Sequence, residues 1–301
     1  MNPSSPQREY VSVKEWALLN GVSERTARNY CVSGKIPEAF MTGKTWNIPQ
    51  DAVIAKRGRK FKVSPLLERL RNEKEGKIKG GIYHRVQVDM TYNSNHMEGS
   101  RLTIQQTRNI FETRTLGVDD NPVNVDDLIE TVNHFRAIDY IIENTYEPLT
   151  ERYIKHLHQL LKSGTSYETK ESYPVGKYKK YPNEVGGQDT TLPEKVASEI
   201  KQLIKSYNSL KNTTFEDIID FHYRFEKIHP FQDGNGRIGR LIMFRECLRL
   251  GYVPFIIYDE VKMFYYRGLQ QWPTVREYLL DTCFSSQDEF KQLLHKFRIP
   301  Y

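Results

Sequence analysis

Apolar residues recur at the 3.6-residue spacing of an amphipathic helix over residues 103–114, 125–143, 150–162, 192–209 and 214–228. In the last of these, Phe215, Ile218, Ile219, His222 and Phe225 fall on one side, and Thr213 and Glu216 have the spacing of a capping box. Ile238, Leu241, Ile242 and Leu248 share a face in a further helix that begins near Arg237, while Val86, Met90 and Met97 share one upstream. Residues 288–297 read as a last helix. Outside residues 174–188 this part of the chain shows little strand pattern, so it reads as mainly α.

The N-terminal segment has its own order. Ser12-Val13-Lys14-Glu15 before Trp16, Leu18 and Leu19 reads as a capping box opening a helix that Gly21 ends. Ser23 caps a second helix over residues 24–32, and Gly43-Lys44-Thr45-Trp46-Asn47-Ile48-Pro49 reads as a short β-wing. The run Lys56-Arg57-Gly58-Arg59-Lys60-Phe61-Lys62 then divides this segment from the rest. The domains expected are residues 1–60 with a basic linker to about 64, residues 65–284, and a C-terminal helix within 285–301.

Composition narrows the class. A length of 301 residues with 38% hydrophobic and 12% aromatic content allows two domains with a substantial core. The net charge of +6 is partly local to the basic run, which admits contact with a polyanion. Cys31, Cys247 and Cys283 have no metal-ligand or redox spacing and read as buried thiols. With a mean hydropathy of −0.65 and no leader pattern in residues 1–6, a cytoplasmic protein without a membrane span is expected. His156 and His158 stand two apart in a helical stretch, which sends them to different faces.

The most informative chemistry lies in His229-Pro230-Phe231-Gln232-Asp233-Gly234-Asn235-Gly236-Arg237-Ile238-Gly239-Arg240. Glycines flanking Asn235 let backbone N–H groups turn inward as an anion nest, and the helix that follows adds its unsatisfied donors to the same place. Arg237 and Arg240 project from one side of that helix. Asp233 is a hard oxygen ligand of the kind Mg²⁺ takes beside phosphate oxygens, and His229 can accept a hydroxyl proton near neutral pH.

This stretch resembles the signature of the Fic (filamentation induced by cAMP) domain family, His-Pro-Phe-x-Asp/Glu-Gly-Asn-Gly-Arg-x-x-Arg, with every fixed position present. The resemblance implies a Fic-fold helical domain with a small β-hairpin flap, acting as a protein adenylyltransferase. AMP would pass from ATP to a Ser, Thr or Tyr hydroxyl of a target protein, with pyrophosphate as leaving group. His229 would deprotonate the hydroxyl, Asp233 would hold Mg²⁺, and Asn235 with the amides of Gly234, Gly236, Ile238 and Gly239 would line the α-phosphate. Arg237 and Arg240 would take the β- and γ-phosphates.

Ser94-Asn95-His96-Met97-Glu98-Gly99 matches the inhibitory pattern Ser/Thr-x-x-x-Glu-Gly/Asn, and its place before the signature resembles class II Fic proteins. The resemblance implies that Glu98 pairs with Arg240 and keeps it from the γ-phosphate. Gly99 is suited to close the preceding helix, which puts Glu98 at a C-terminus where the dipole disfavours a carboxylate. Residues 174–188 resemble the flap that holds a target strand, with Val185, Gly186, Gly187 and Gln188 bordering the nucleotide. Lys179 stands where relatives often have arginine. Tyr265 and Tyr266 align with a pocket-lining tyrosine pair, but Trp272 and Pro273 stand where relatives often carry an adenine-reading asparagine, so the base stays open.

The N-terminal order resembles the winged helix-turn-helix domains of excisionases and MerR-type regulators, with Arg25, Thr26, Arg28 and Asn29 placed to face a major groove. A protein-docking module fits the same basic face. Three alternatives to AMP transfer stay open: Glu98-dependent removal of AMP, transfer of UMP or phosphocholine, and a DNA-binding regulator whose Fic portion senses nucleotide. Class II relatives are also regulated by dimerisation, so a homodimer is among the expected partners.

Overall fold

Twelve α-helices, five short strands and a single 3-10 turn at Asp259–Val261 make up the regular structure among the described residues. The computed structural model describes residues 9–52 apart from 33, 35, 37 and 44, and residues 63–301 apart from 118–121. The chain divides into two compact units, Met1–Phe61 and Lys62–Tyr301. The basic run at 56–62 lies outside the described residues.

In the first unit, β1 (Tyr10–Ser12) leads into α1 (Val13–Leu19), α2 (Glu24–Val32) and a hairpin of β2 (Phe40–Thr42) and β3 (Thr45–Pro49). The strands form an antiparallel sheet in the order β1-β3-β2, with Val11 opposite Ile48 and Met41 opposite Trp46. The expected capping box forms: Ser12 Oγ accepts from the Glu15 N–H at 3.3 Å, and Glu15 Oε2 accepts from the Ser12 N–H at 2.9 Å. Trp16 is fully buried among Ala17, Ala27, Cys31 and Ile48, and its indole N–H donates to Ala52 O at 3.2 Å. Leu18 and Leu19 face outward instead, 84% and 63% exposed, because a seven-residue helix has one inward stripe and Trp16 fills it. On α2, Arg25, Arg28 and Asn29 are exposed, whereas Thr26 is part of the cap, bonded to Ser23 through both its N–H and its hydroxyl.

The second unit runs α3 (Pro65–Glu75), α4 (Ile82–His96), α5 (Ile104–Thr113), α6 (Val125–Glu143), α7 (Glu151–Lys162), β4 (Glu184–Val185), β5 (Gln188–Asp189), α8 (Pro193–Asn208), α9 (Phe215–Ile228), α10 (Asn235–Leu250), α11 (Lys262–Gln271) and α12 (Glu277–Lys296). Of the region expected as a flap, only four residues pair as strand, joined by Gly186 and Gly187. Both have positive φ, as a two-residue hairpin turn requires. The capping box of α9 uses Thr214 and Asp217, one residue later than the expected Thr213 and Glu216. Both registers have the right spacing, and the one chosen puts Phe215 at the first helical position.

Helix α10 is the centre of this unit, buried at every position from Asn235 to Leu248. Ile238, Leu241, Ile242 and Leu248 face the main core with Phe225, Phe231 and Leu157, while Met243 and Cys247 face a second cluster with Tyr265, Trp272 and Cys283. Being buried all round, α10 carries its charges inward: Arg245 and Glu246 pair with each other, and Glu246 also accepts from Tyr207 Oη at 2.9 Å. The three cysteines are free and buried. No described helix is long and apolar enough to cross a membrane.

His134 and His222 are buried in this core, and burial holds each imidazole down to about 3. The folded value lies below the unfolded value near 6.5, so the unfolded chain takes up protons first. This contribution to stability is therefore complete above about pH 6.5 and is lost as the pH falls from there toward 3, by up to about 1.4 kcal/mol per pH unit for each ring. The melting temperature should fall between pH 7 and pH 5. A flat profile over that interval would contradict the assignment.

Candidate active site

The site is assembled where α9 hands the chain to α10. His229 caps α9 in the left-handed region, φ 51°, with its N–H bonded to Phe225 O at 2.9 Å. This turn throws the imidazole out of the helix line. Its Nδ1 is buried on the side of Glu226 at the end of α9, so the accessible nitrogen is Nε2; the side chain is 14% exposed. Burial, then the nearby Lys179 charge, holds His229 down to about 4, which leaves it neutral and able to accept a proton at pH 7.

Asn235 ties the loop together. Its Oδ1 accepts from the Phe231 N–H at 2.8 Å and its Nδ2 donates to Phe231 O at 2.9 Å. Those bonds engage the side chain, leaving the backbone N–H for a ligand. The first α-helical bond of α10 runs from the Ile238 N–H to Gly234 O at 3.1 Å, so the N–H groups of Asn235, Gly236 and Arg237 precede it. Of the two glycines flanking Asn235, Gly234, φ 83°, takes the left-handed turn. Gly236 is helical and serves differently: a methyl group there would overlap the Glu98 carboxylate.

His158, not expected to take part, braces this loop. Its ring stacks on Phe231 with centroids 4.0 Å apart and planes 5° from parallel. Its Nδ1 accepts from the Gly176 N–H at 2.9 Å, which leaves Nε2–H to donate to Asp233 O at 3.2 Å. Asp233 Oδ1 accepts from the Gly234 N–H at 2.7 Å, and Oδ2 meets Lys162 Nζ. Burial would raise Asp233, but Arg237 and Lys162 outweigh it and hold the carboxyl at about 2.

The two arginines diverge. Arg237 Nη1 pairs with Glu130 Oε2, and its Nη2 lies 3.5 Å from Asp233 Oδ2. Arg240 donates to Ser94 Oγ and Ser94 O, each at 3.0 Å, and to Glu98 Oε1 at 2.7 Å. The Glu98 carboxylate thus lies against Gly236 at the N-terminus of α10, where the helix offers its donors to an anion. Burial would raise Glu98, but Arg240 and then Arg237 outweigh it and keep it ionised. Gly99 follows with φ 95°, and the Ser100 N–H returns to Asn95 O at 3.1 Å, closing α4 just past Glu98.

Residues 148–247 match the Fic/DOC family.

The chain is similar to the "Protein adenylyltransferase Fic" of Drosophila melanogaster and of Drosophila sechellia, 30% identical over 186 residues in each case. The match covers 60% of this chain and 36% of each relative, so the chain spans about a third of the length of these curated relatives. Among solved structures it resembles a Fic domain-containing signalling protein from Bacteroides thetaiotaomicron, with TM-score 0.60, 24% identity, and 76% of this chain and 94% of that one covered. Fic-1 from C. elegans gives TM-score 0.58 and 18% identity over 77% of this chain and 72% of that one. The helical unit has the Fic fold.

The base of the Fic flap is fastened to the signature. The Lys179 N–H donates to Pro230 O at 2.9 Å, and the Tyr181 N–H to Gln232 Oε1 at 3.3 Å. Lys179 is buried, and its ammonium binds Asn183 Oδ1 at 2.7 Å and Thr190 Oγ1 at 2.6 Å, joining both sides of the hairpin. Val185, Gly186, Gly187 and Gln188 at its tip are exposed. The tyrosine pair divides: Tyr265 is buried with its hydroxyl 2.6 Å from His222 Nε2, while Tyr266 is 40% exposed and donates to Met97 O at 3.1 Å, beside Glu98.

Among the described residues no group of three or more His, Cys, Asp or Glu side chains could hold a metal ion. Asp233 nevertheless fits Mg²⁺ of the kind bound with a polyphosphate: it is a single ionised carboxylate, 33% exposed, at a helix N-terminus. Sequence reasoning missed Glu130, Lys162, His158 and Glu226. Glu226 lies 4.0 Å from both His222 Nδ1 and His229 Nδ1, and burial pushes its carboxyl up to about 8.

Proposed function

We propose that this chain is a protein adenylyltransferase that moves AMP from ATP to a Ser, Thr or Tyr hydroxyl of a target protein, held off at rest by Glu98. One observation carries the reading: Glu98 is bonded to Arg240 at 2.7 Å and rests on the helix N-terminus that the Fic signature offers to phosphate. A phosphate and this carboxylate compete for the same donors.

In the reaction, His229 Nε2 takes the target hydroxyl proton as that oxygen bonds to the α-phosphorus. The bond from the α-phosphorus to the bridging oxygen breaks, and pyrophosphate leaves with the electron pair. Asp233 would hold Mg²⁺, which would neutralise charge on the phosphate oxygens. The N–H groups of Gly236 and its neighbours orient the phosphates, and Arg240, once free of Glu98, seats the terminal one. The flap edge aligns an extended target segment by main-chain bonds. Labelling of a target by α-³²P-ATP tests the reading.

We further propose that the first unit is a winged helix-turn-helix that brings the enzyme to DNA. Support comes from its strand and helix order and from the exposed Arg25, Arg28 and Asn29 on α2. Arg25→Ala or Arg28→Ala should weaken duplex binding and lower the salt slope by about 1 each. Unchanged binding in a fluorescence anisotropy titration would remove DNA as the partner and favour protein docking.

A further inference from the structure

Lys162 ends α7 with its charge buried; the side chain is 2% exposed. Its Nζ contacts Glu130 Oε1 and Asp233 Oδ2 and lies 4.2 Å from the centroid of the Tyr167 ring. Arg237 Nη1 takes the other oxygen of Glu130, and Arg237 Nη2 is 3.5 Å from Asp233 Oδ2. Two carboxylates and two cations therefore form a closed ring of zero net charge. A small cavity of about 10 Å³, room for roughly one water, adjoins it between Lys162, Asp233, His158, Tyr167, Tyr173 and Gln232.

An ammonium and a divalent ion ask the same of a carboxylate: a lone pair at short range in a field of negative potential. Here the ammonium already sits between Glu130 and Asp233. We propose that Lys162 is the positioning residue for Asp233 and acts as a built-in cation, keeping divalent ions off that carboxylate until a polyphosphate supplies further oxygens. The proposal rests on the reading of Asp233 as the protein ligand of Mg²⁺.

Lys162→Met keeps the unbranched side chain up to its last atom and removes the ammonium with its charge. Glu130 Oε1 and Asp233 Oδ2 would then face one space with the ring one unit more negative, and together they would bind a divalent ion without nucleotide. The experiment is a Mn²⁺ titration of the full chain, free Mn²⁺ being read by electron paramagnetic resonance with no nucleotide present. Wild type, Lys162→Met and Lys162→Met/Asp233→Asn are compared, with thermal melting of each.

Lys162→Met should bind Mn²⁺ at least about tenfold more tightly than wild type, with a melting temperature that rises on adding Mn²⁺. The double variant should lose the gain. Equal or weaker affinity in Lys162→Met, including none detectable in either protein, would overturn the proposal. A gain that survives Asp233→Asn would overturn both the proposal and the assignment of Asp233 as metal ligand, so the two failures are distinct. Should Lys162→Met not fold alone, recovery of its melting transition with Mn²⁺ supports the proposal and its absence overturns it.

Discussion

Glu98→Gly should raise AMP transfer on the order of ten- to hundredfold, the range of a coupling free energy of about 1–3 kcal/mol. The substitution removes the acceptor held by Arg240 at 2.7 Å and clears the carboxylate from Gly236. Arg240 keeps its bonds to Ser94 Oγ and Ser94 O, both 3.0 Å, so the guanidinium stays placed at the helix N-terminus with one donor edge released. Burial disfavours the charge on Arg240, but Glu98 more than offsets it, so the pair is ionised at neutral pH, as the proposed block requires. Breaking a partly buried pair costs stability as well, on the order of 1–3 kcal/mol. Higher activity in a less stable protein is the signature of a released clamp, and ATP titrations of initial rate with melting curves measure both. Equal activity in wild type and Glu98→Gly would remove Glu98 from regulation.

His229→Ala in the Glu98→Gly background should lower kcat by about 10²–10⁴, the usual contribution of a general base, with the KM for ATP unchanged. The ring is only 14% exposed, so its removal also costs some packing, and melting curves of the variant separate that loss from the loss of the base. The left-handed backbone at φ 51° is strained for His229 already, so an alanine there adds little further backbone cost. Because His229 is held at about 4, protonation of this base should not slow the reaction between pH 8 and pH 6. A fall in ATP affinity of the same size as the fall in rate would place His229 in nucleotide binding instead.

Much of this was legible in the chain. The helix at residues 125–143 is plain in the sequence because its apolar stripe is continuous and Asn124 caps it. The last helix is less so: α12 begins at Glu277 rather than near residue 288, since buried Thr282, Ser286 and Gln287 interrupt the apolar pattern. Helix α11 buries only Tyr265 and Gly268, too few positions to mark a stripe, and Arg245 with Glu246 give the fully buried α10 a one-sided pattern. The signature and Glu98 could be found because their spacing is local. Lys162 and Glu130 could not, since Lys162 meets Asp233 across 71 residues and Arg237 meets Glu130 across 107. A lysine in the last turn of a helix reads as dipole compensation until the fold brings a carboxylate to it.

The most direct test of the central claim compares α-³²P-ATP with γ-³²P-ATP labelling of a bacterial lysate by wild type, Glu98→Gly and Glu98→Gly/His229→Ala. The expected result is label from α-³²P-ATP alone, strong with Glu98→Gly, weak with wild type and absent from the double variant. Equal labelling by wild type and Glu98→Gly, or label that survives loss of His229, would contradict it.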